Sequence, residues 1–356
     1  MDFIPILVPT VPSVEKFLPY LLKIEANKQY TNFGPLSKLL TSRLGDYFGV
    51  SAENVVLAAN ATLALQGAME TAETSKETTW EVPSWTFTAT ASAAVLSQVE
   101  FEFVDVDDNG RAQFSGAATC AVDVLPFGAG PRFAEIPANI ETLIVDAAAS
   151  IDSLQQIKLP SNMRVGLIVS LHATKLLPAG EGGIFLTNDP GWAERFRRWT
   201  NFGMAESRIS SSVGTNAKLS EFSAAVALAS MDSWEQTRNA YRGITARAKD
   251  ICNRLKIGTF SSLSPENITP YWILRLESPE QKATLERLLQ ENLIQCRDWW
   301  PAGCHSMPAY SEYSRGKFFN TDVLISRTLA LPFHLYLSDS DWGRVESVLT
   351  QFVSGE

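Results

Sequence analysis

Ser170-Leu171-His172-Ala173-Thr174-Lys175, followed by Gly180-Glu181-Gly182-Gly183, is the stretch on which the reading of this chain turns. An apolar run from Arg164 to Ser170 leads into it and reads as a strand. Ser170 and Lys175 then fall at the carboxyl end of that strand, the edge at which open α/β sheets bind ligands. A lysine amine is a poor nucleophile while protonated. Burial favours the neutral form and frees it to make a Schiff base with a carbonyl. The glycines beyond it would let backbone pass close to a flat ligand. A surface lysine in an ordinary loop would share this spacing, so the segments upstream have to decide.

Working outward, Leu143-Ile144-Val145-Asp146 is an apolar strand that ends in a carboxylate. A buried charge needs a partner. A pyridinium N–H is such a partner, and the carboxylate would keep that ring protonated as an electron sink. A helix N-cap is the plain alternative for Asp146. Asn60-Ala61-Thr62 follows a strand and opens a helix, whose free N–H groups and positive dipole end suit a phosphate. Pro83-Ser84-Trp85-Thr86-Phe87 ends a further strand with two aromatics. Either could stack on a flat ring, or both could belong to the core.

The surrounding pattern supplies the fold class. Leu39 to Phe48 predicts an amphipathic helix stopped by Gly49. Strands are predicted over Asn54–Ala58, Thr79–Pro83, Glu100–Val104, Thr119–Leu125, Thr142–Val145, Arg164–Ser170 and Gly183–Leu186, with helices over Thr62–Thr71 and Ala89–Ser97. Alternating strands and helices indicate βαβ units and an α/β fold with a mainly parallel sheet. Past Met231 the texture changes. A long polar helix, Ser233–Leu255, leads to a strand at Tyr271–Leu276, a helix at Pro279–Glu291, a strand at Leu293–Arg297 and a last helix at Asp339–Phe352. The expected division is a large domain over residues 1–235, N-terminal segment included, and a small C-terminal α+β domain over 236–356.

Composition excludes several classes. The chain has 356 residues, 45% apolar and 19% charged, the balance of a folded globular protein. A formal charge of −9 argues against nucleic acid as partner. No run of about 18 uncharged apolar residues occurs, so no membrane helix is expected. Met1-Asp2-Phe3-Ile4-Pro5 lacks the basic start of a signal peptide. The four cysteines (Cys120, Cys252, Cys296, Cys304) show no paired spacing and read as reduced thiols of a cytoplasmic protein. His172, His305 and His334 lie too far apart to suggest a metal site. Asp105-Val106-Asp107-Asp108-Asn109-Gly110 opens like a calcium loop, but Gly116 stands where that loop needs its glutamate. Gly128-Ala129-Gly130 lacks the third glycine of a dinucleotide fingerprint.

Phosphate cradle, stacking aromatic, strand-end aspartate and Ser-x-x-x-x-Lys follow one another in the order seen in fold-type I pyridoxal-phosphate enzymes. The chain resembles, more closely, the DegT/DnrJ/EryC1/StrS family of sugar-nucleotide aminotransferases. The resemblance rests on Tyr30-Thr31-Asn32-Phe33-Gly34-Pro35, on Val82 to Thr90, and on Phe103-Val104-Asp105-Val106-Asp107. It continues through Leu125-Pro126-Phe127-Gly128, Val145-Asp146-Ala147-Ala148, Ser170 to Lys175, Gly214 to Phe222, Arg297 to Pro301 and Leu331-Pro332-Phe333-His334.

This resemblance implies a large α/β domain and a small C-terminal domain of the aspartate aminotransferase type, with pyridoxal phosphate (PLP/PMP) as cofactor. Lys175 would carry the cofactor and shuttle the proton. Asp146 would pair with the pyridine nitrogen, and Phe87 would lie over the ring, with Trp85 the lesser candidate. Ser170 and the amides of Ala61 and Thr62 would bind the phosphate, together with Asn216 from a neighbouring subunit, which implies a homodimer. Thr31, Asn32, Trp85, His172, Glu181 and His305 are candidates for contact with substrate. The implied reaction moves an amino group from L-glutamate to a nucleotide-linked keto sugar, a 4-keto-6-deoxyhexose on dTDP, UDP or GDP. Reaction at C-3 or elimination is the rival within the chemistry, and a non-catalytic ligand sensor the rival outside it. The chain departs from the family in having Ala61 where glycine is usual and Ala149 where glutamine or histidine is frequent.

Overall fold

The structure, a computed structural model, describes residues 2–75, 77–264 and 266–355. Seven short strands build the large sheet: β1 (Val55–Ala58), β2 (Trp80–Pro83), β3 (Phe101–Val104), β4 (Cys120–Val124), β5 (Thr142–Asp146), β6 (Arg164–Ser170) and β7 (Gly183–Thr187). Their spatial order is β1-β7-β6-β5-β4-β2-β3. Only β7 runs against its neighbours β1 and β6, and the other pairs are parallel. The strands are buried along almost their whole length. Near-continuous apolar runs such as Leu143-Ile144-Val145 are what a sheet covered on both faces requires.

The covers come from helices. On one face α3 (Ala61–Glu70), α4 (Thr88–Leu96) and α5 (Pro190–Trp199) enclose Val56, Trp80, Val122, Phe185, Trp192 and Phe196. On the other, α2 (Pro35–Phe48) and α6 (Glu221–Asp232) lie over Val55, Leu143, Val165 and Leu186, with α1 (Val14–Asn27) packed on α6. Local punctuation sets the ends. Gly49 closes α2 at φ 73°, a conformation that suits glycine. Asn60 caps α3, its side chain accepting from the Leu63 N–H, and Asp189 caps α5 from Trp192 with Pro190 in the first turn.

The long helix α7 (Trp234–Leu255) leads to a three-stranded antiparallel sheet of order β10-β9-β8, formed by β8 (Gly258–Thr259), β9 (Trp272–Arg275) and β10 (Thr328–Leu331). It is covered by α8 (Pro279–Glu291), α9 (Phe319–Arg327) and α10 (Asp339–Ser354). One feature differs from the sequence expectation. Leu293–Arg297 is not a continuous strand: it makes single bridges, Ile294 to Ile4 and Arg297 to Ala330. The Gln295 side chain takes the Ile6 N–H at 2.9 Å, so a side chain replaces a ladder bond there. The N-terminal residues also pair with the smaller unit, since the Ile4 N–H donates to Leu293 and the Gln295 N–H to Ile4. The start of the chain is therefore tied to its last third.

Candidate active site

Because β1, β2, β4, β5 and β6 point the same way, their carboxyl ends meet on one edge, and the sequence candidates gather there. Asp146 is the last residue of β5 and is 6% exposed. No helix begins at it, so the N-cap reading does not hold. Its carboxylate accepts from the Thr90 hydroxyl at 2.7 Å and from the Ala148 N–H at 3.1 Å. Thr90, fully buried one turn into α4, is steadied by Thr86 at 2.9 Å. Burial pushes the Asp146 carboxyl above the ordinary carboxylate range, against the pull of Thr90, the Ala148 amide and the field of Lys175. Among the described residues no cation lies within ion-pair distance of it.

Lys175 stands in the loop between β6 and β7. Backbone bonds fix that loop: Leu171 N–H to Gly182, Ala179 N–H to Leu171, Ala173 N–H to Gly180 and Lys175 N–H to His172. Gly180 sits at φ 82°, which a side chain would resist. The Lys175 ammonium donates to the Tyr271 hydroxyl at 2.7 Å. His172 spends its Nδ1 on Thr174, at 2.8 Å, bracing the same loop. Its Nε2 faces Glu181 at 3.7 Å, with both side chains largely in water, a contact of little energetic weight.

The phosphate candidates converge through one glycine. Ser170 ends β6 and pairs across to Gly183 of β7. A side chain at 183 would lie 2.5 Å from the Asn60 oxygen and 2.8 Å from the Ala61 nitrogen. Gly183 thus lets the first turn of α3 close down beside Ser170. The Ala61 and Thr62 amides occupy that first turn, where helix N–H groups lack intrahelical partners and the dipole favours an anion. Phe87 starts α4 one turn before Thr90, and its ring is 60% exposed. An apolar ring left open beside Asp146 suits the face of a flat ligand.

Trp85 is different. It is 1% exposed and packed among Phe127, Phe260 and Trp300, which leaves it no face for a ligand. The sequence could not show this burial, because its partners come from three distant segments. His305 docks on the end of the same strand, with Nδ1 2.5 Å from the Ser84 hydroxyl and its ring stacked on Phe318. Burial holds its imidazole below the usual histidine range. Asn216 is exposed and accepts from Lys218 at 2.7 Å. Thr31 and Asn32 are exposed in a loop that Glu221 anchors, its N–H donating to Tyr30 and its carboxylate capping α2 at Leu36 and Ser37. The aspartates of the calcium-like run serve the fold: Asp105 accepts from the Asn320 and Thr321 amides at the start of α9.

Two residues of this site have no sequence signal. In the sequence Thr90 is one hydroxyl in a run of small residues, and Tyr271 marks only the start of an apolar strand.

The donor set fits pyridoxal phosphate. A buried carboxylate short of a cation would meet the pyridine nitrogen, a helix N-terminus with a serine beside it would hold the phosphate, and a lysine amine stands on the adjoining loop. The chain matches the DegT/DnrJ/EryC1/StrS aminotransferase family model over residues 13–115 and 136–350. It is 29% identical over 354 residues to the dTDP-4-amino-4,6-dideoxy-D-glucose transaminase of Shigella dysenteriae, covering 93% of this chain and 94% of that one. With the UDP-2-acetamido-2-deoxy-3-oxo-D-glucuronate aminotransferase of Pseudomonas aeruginosa it shares 23% over 331 residues, 89% and 90% of the two chains. A crystal structure of a DegT DnrJ EryC1 StrS aminotransferase from Brucella abortus superposes with a TM-score of 0.83 at 26% identity, over 95% of this chain and 96% of that one.

Proposed function

The chain belongs to the DegT/DnrJ/EryC1/StrS aminotransferase family, and from that premise we propose that it moves an amino group from L-glutamate to the keto carbon of a nucleotide-linked sugar. The observation that carries this reading is Asp146, buried without a cation at the sheet edge that also holds Lys175. Bound there, pyridoxal phosphate supplies an electron sink for the carbon that gains or loses its proton. Asp146 would pair with the ring nitrogen and keep it protonated. Ser170 and the Ala61 and Thr62 amides would take the phosphate, and Phe87 would lie over the ring. The Lys175 Nζ carries the cofactor, takes the proton from the donor's α-carbon and returns one to the sugar carbon. Asn216, exposed on its loop, would serve the phosphate site of a second copy, which makes a homodimer the proposed working form.

The carbon aminated is C-4 in this reading. His172 before the lysine, in Ser-Leu-His-Ala-Thr-Lys with Gly-Glu-Gly-Gly behind it, supports that choice, as does the 4-amino sugar in the name of the Shigella relative. The 3-oxo sugar in the name of the Pseudomonas relative favours C-3 as the second reading.

The visible spectrum of the protein with pyridoxal phosphate, before and after L-glutamate, tests the first half-reaction. A visible band that glutamate bleaches is the expected result. A band indifferent to glutamate would sink the donor, and no band at all would sink the cofactor assignment. Product analysis with a panel of nucleotide-linked 3-keto and 4-keto sugars then decides the carbon.

A further inference from the structure

We infer that Tyr271 is a positioning residue for amino transfer, a fixed post that holds the Lys175 Nζ whenever that nitrogen is free of the cofactor. The inference rests on the proposed function and adds a residue to it. Lys175 has a backbone locked by its loop but a long flexible side chain, which carries about 2 kcal/mol of rotamer entropy. Among the described residues its tip makes one side-chain hydrogen bond, to the Tyr271 hydroxyl at 2.7 Å.

Tyr271 cannot swing. It is 8% exposed, with its ring against Trp299 at 4.8 Å and Phe127 at 5.9 Å. Its N–H donates to the Thr269 hydroxyl at 3.1 Å, and that hydroxyl donates to the Phe127 carbonyl at 2.6 Å. Ala149, three residues past Asp146, borders the same aromatic cluster with a side chain too small to compete for the lysine.

The chemistry suits a phenol. Over the full cycle Lys175 would leave the cofactor once, as an amine, take up a proton and give it back in each half-reaction, and return to the cofactor only as the second product departs. A carboxylate partner would accept only, and so would hold the ammonium form alone. A phenol accepts from an ammonium and donates to an amine, so one post serves both states. The bond also links the loop after β6 to the residue just before β9, so the smaller unit fixes where the lysine tip waits.

The test compares wild-type protein with Tyr271→Phe, which keeps the ring and loses the hydroxyl. Three quantities are read: the rate at which pyridoxal phosphate is captured as a visible band, the pH midpoint of that band, and the single-turnover bleaching by L-glutamate. The expected result is capture and bleaching each slowed at least about tenfold, with the glutamate concentration dependence nearly unchanged, as loss of positioning predicts. The pH midpoint of the band moves as well, and the thermal midpoint of the cofactor-free protein stays put. Capture, bleaching and pH midpoint all like wild type would overturn the inference. So would a fall in thermal midpoint that accounts for the losses, since the phenol would then be a packing element only. A wild-type protein that forms no band takes down the proposed function, and this inference with it, whereas a wild-type band with an unaffected variant takes down this inference alone.

Discussion

Two buried carboxylates stand on neighbouring strands, and the fold treats them in opposite ways. Asp123 lies on β4 and Asp146 ends β5, one residue beyond Asp123's own partner in the register. Burial pushes both carboxyls up. At Asp123 the fold answers with a guanidinium: Arg111 reaches it at 2.6 Å, both side chains 6% exposed, and the Val124 N–H adds a second bond. At Asp146 the answer is a hydroxyl and an amide, with Lys175 acting only through its field. A carboxylate whose task is structural is neutralised within the chain. Asp146, proposed to have a chemical task, is left short of a cation among the described residues, and the shortfall suits the charge of the proposed ligand.

The widest departure should come from Lys175→Ala. It removes the proposed attachment point and proton carrier together, so turnover should fall by at least about 10⁴-fold, with no visible band on adding pyridoxal phosphate. Asp123→Asn asks whether the neighbouring pair is structural. Leaving Arg111 buried without its carboxylate should cost about 3–5 kcal/mol of stability, read by denaturant unfolding, while the protein that remains folded still binds the cofactor. A variant as stable as wild type would erase the distinction drawn here. Asp146→Asn sharpens it from the other side. Turnover should drop roughly 10²–10³-fold, as when one preorganised electrostatic contact is lost. Stability of the cofactor-free protein at neutral pH should hold or rise. The sign follows from the raised carboxyl. Between the ordinary carboxylate value and the raised folded one, the native state keeps a proton that the unfolded chain has released. Its stability therefore falls as pH rises through that window, and the asparagine variant loses this slope.

How much of this was legible in advance depends on how local each signal is. Strand-end residues were readable because an apolar run and the residue after it lie in one stretch: Asp146, Ser170 and the Asn60-Ala61-Thr62 turn could each be placed from a dozen neighbours. The helix ends at Gly49 and Asn60 were readable for the same reason. What failed was non-local. Trp85 and Phe87 look alike two residues apart, and only the arrival of Phe127, Phe260 and Trp300 sends one inward and leaves the other open. Tyr271 meets Lys175 from 96 residues away, across units that the pattern separates. The α6 helix, Glu221–Asp232, hides because it is largely apolar on every side, as a helix packed between α1 and α2 must be. Leu293–Arg297 looked like a strand and is one only in fragments, because Gln295 spends its side chain on the backbone of Ile6.

The single reversed strand has a consequence for how the protein is made. Among the described strands β1 pairs with β7 alone, so Val55–Ala58 has no strand partner until Gly183–Thr187 has left the ribosome. At roughly 5–20 residues per second, the early strand and the helix it launches wait on the order of ten seconds for their place. The proposed phosphate end of the site is encoded first and assembled late, and a nascent chain stalled short of Gly183 carries Asp146 without the Gly183 pairing that brings Ser170 and the first turn of α3 together.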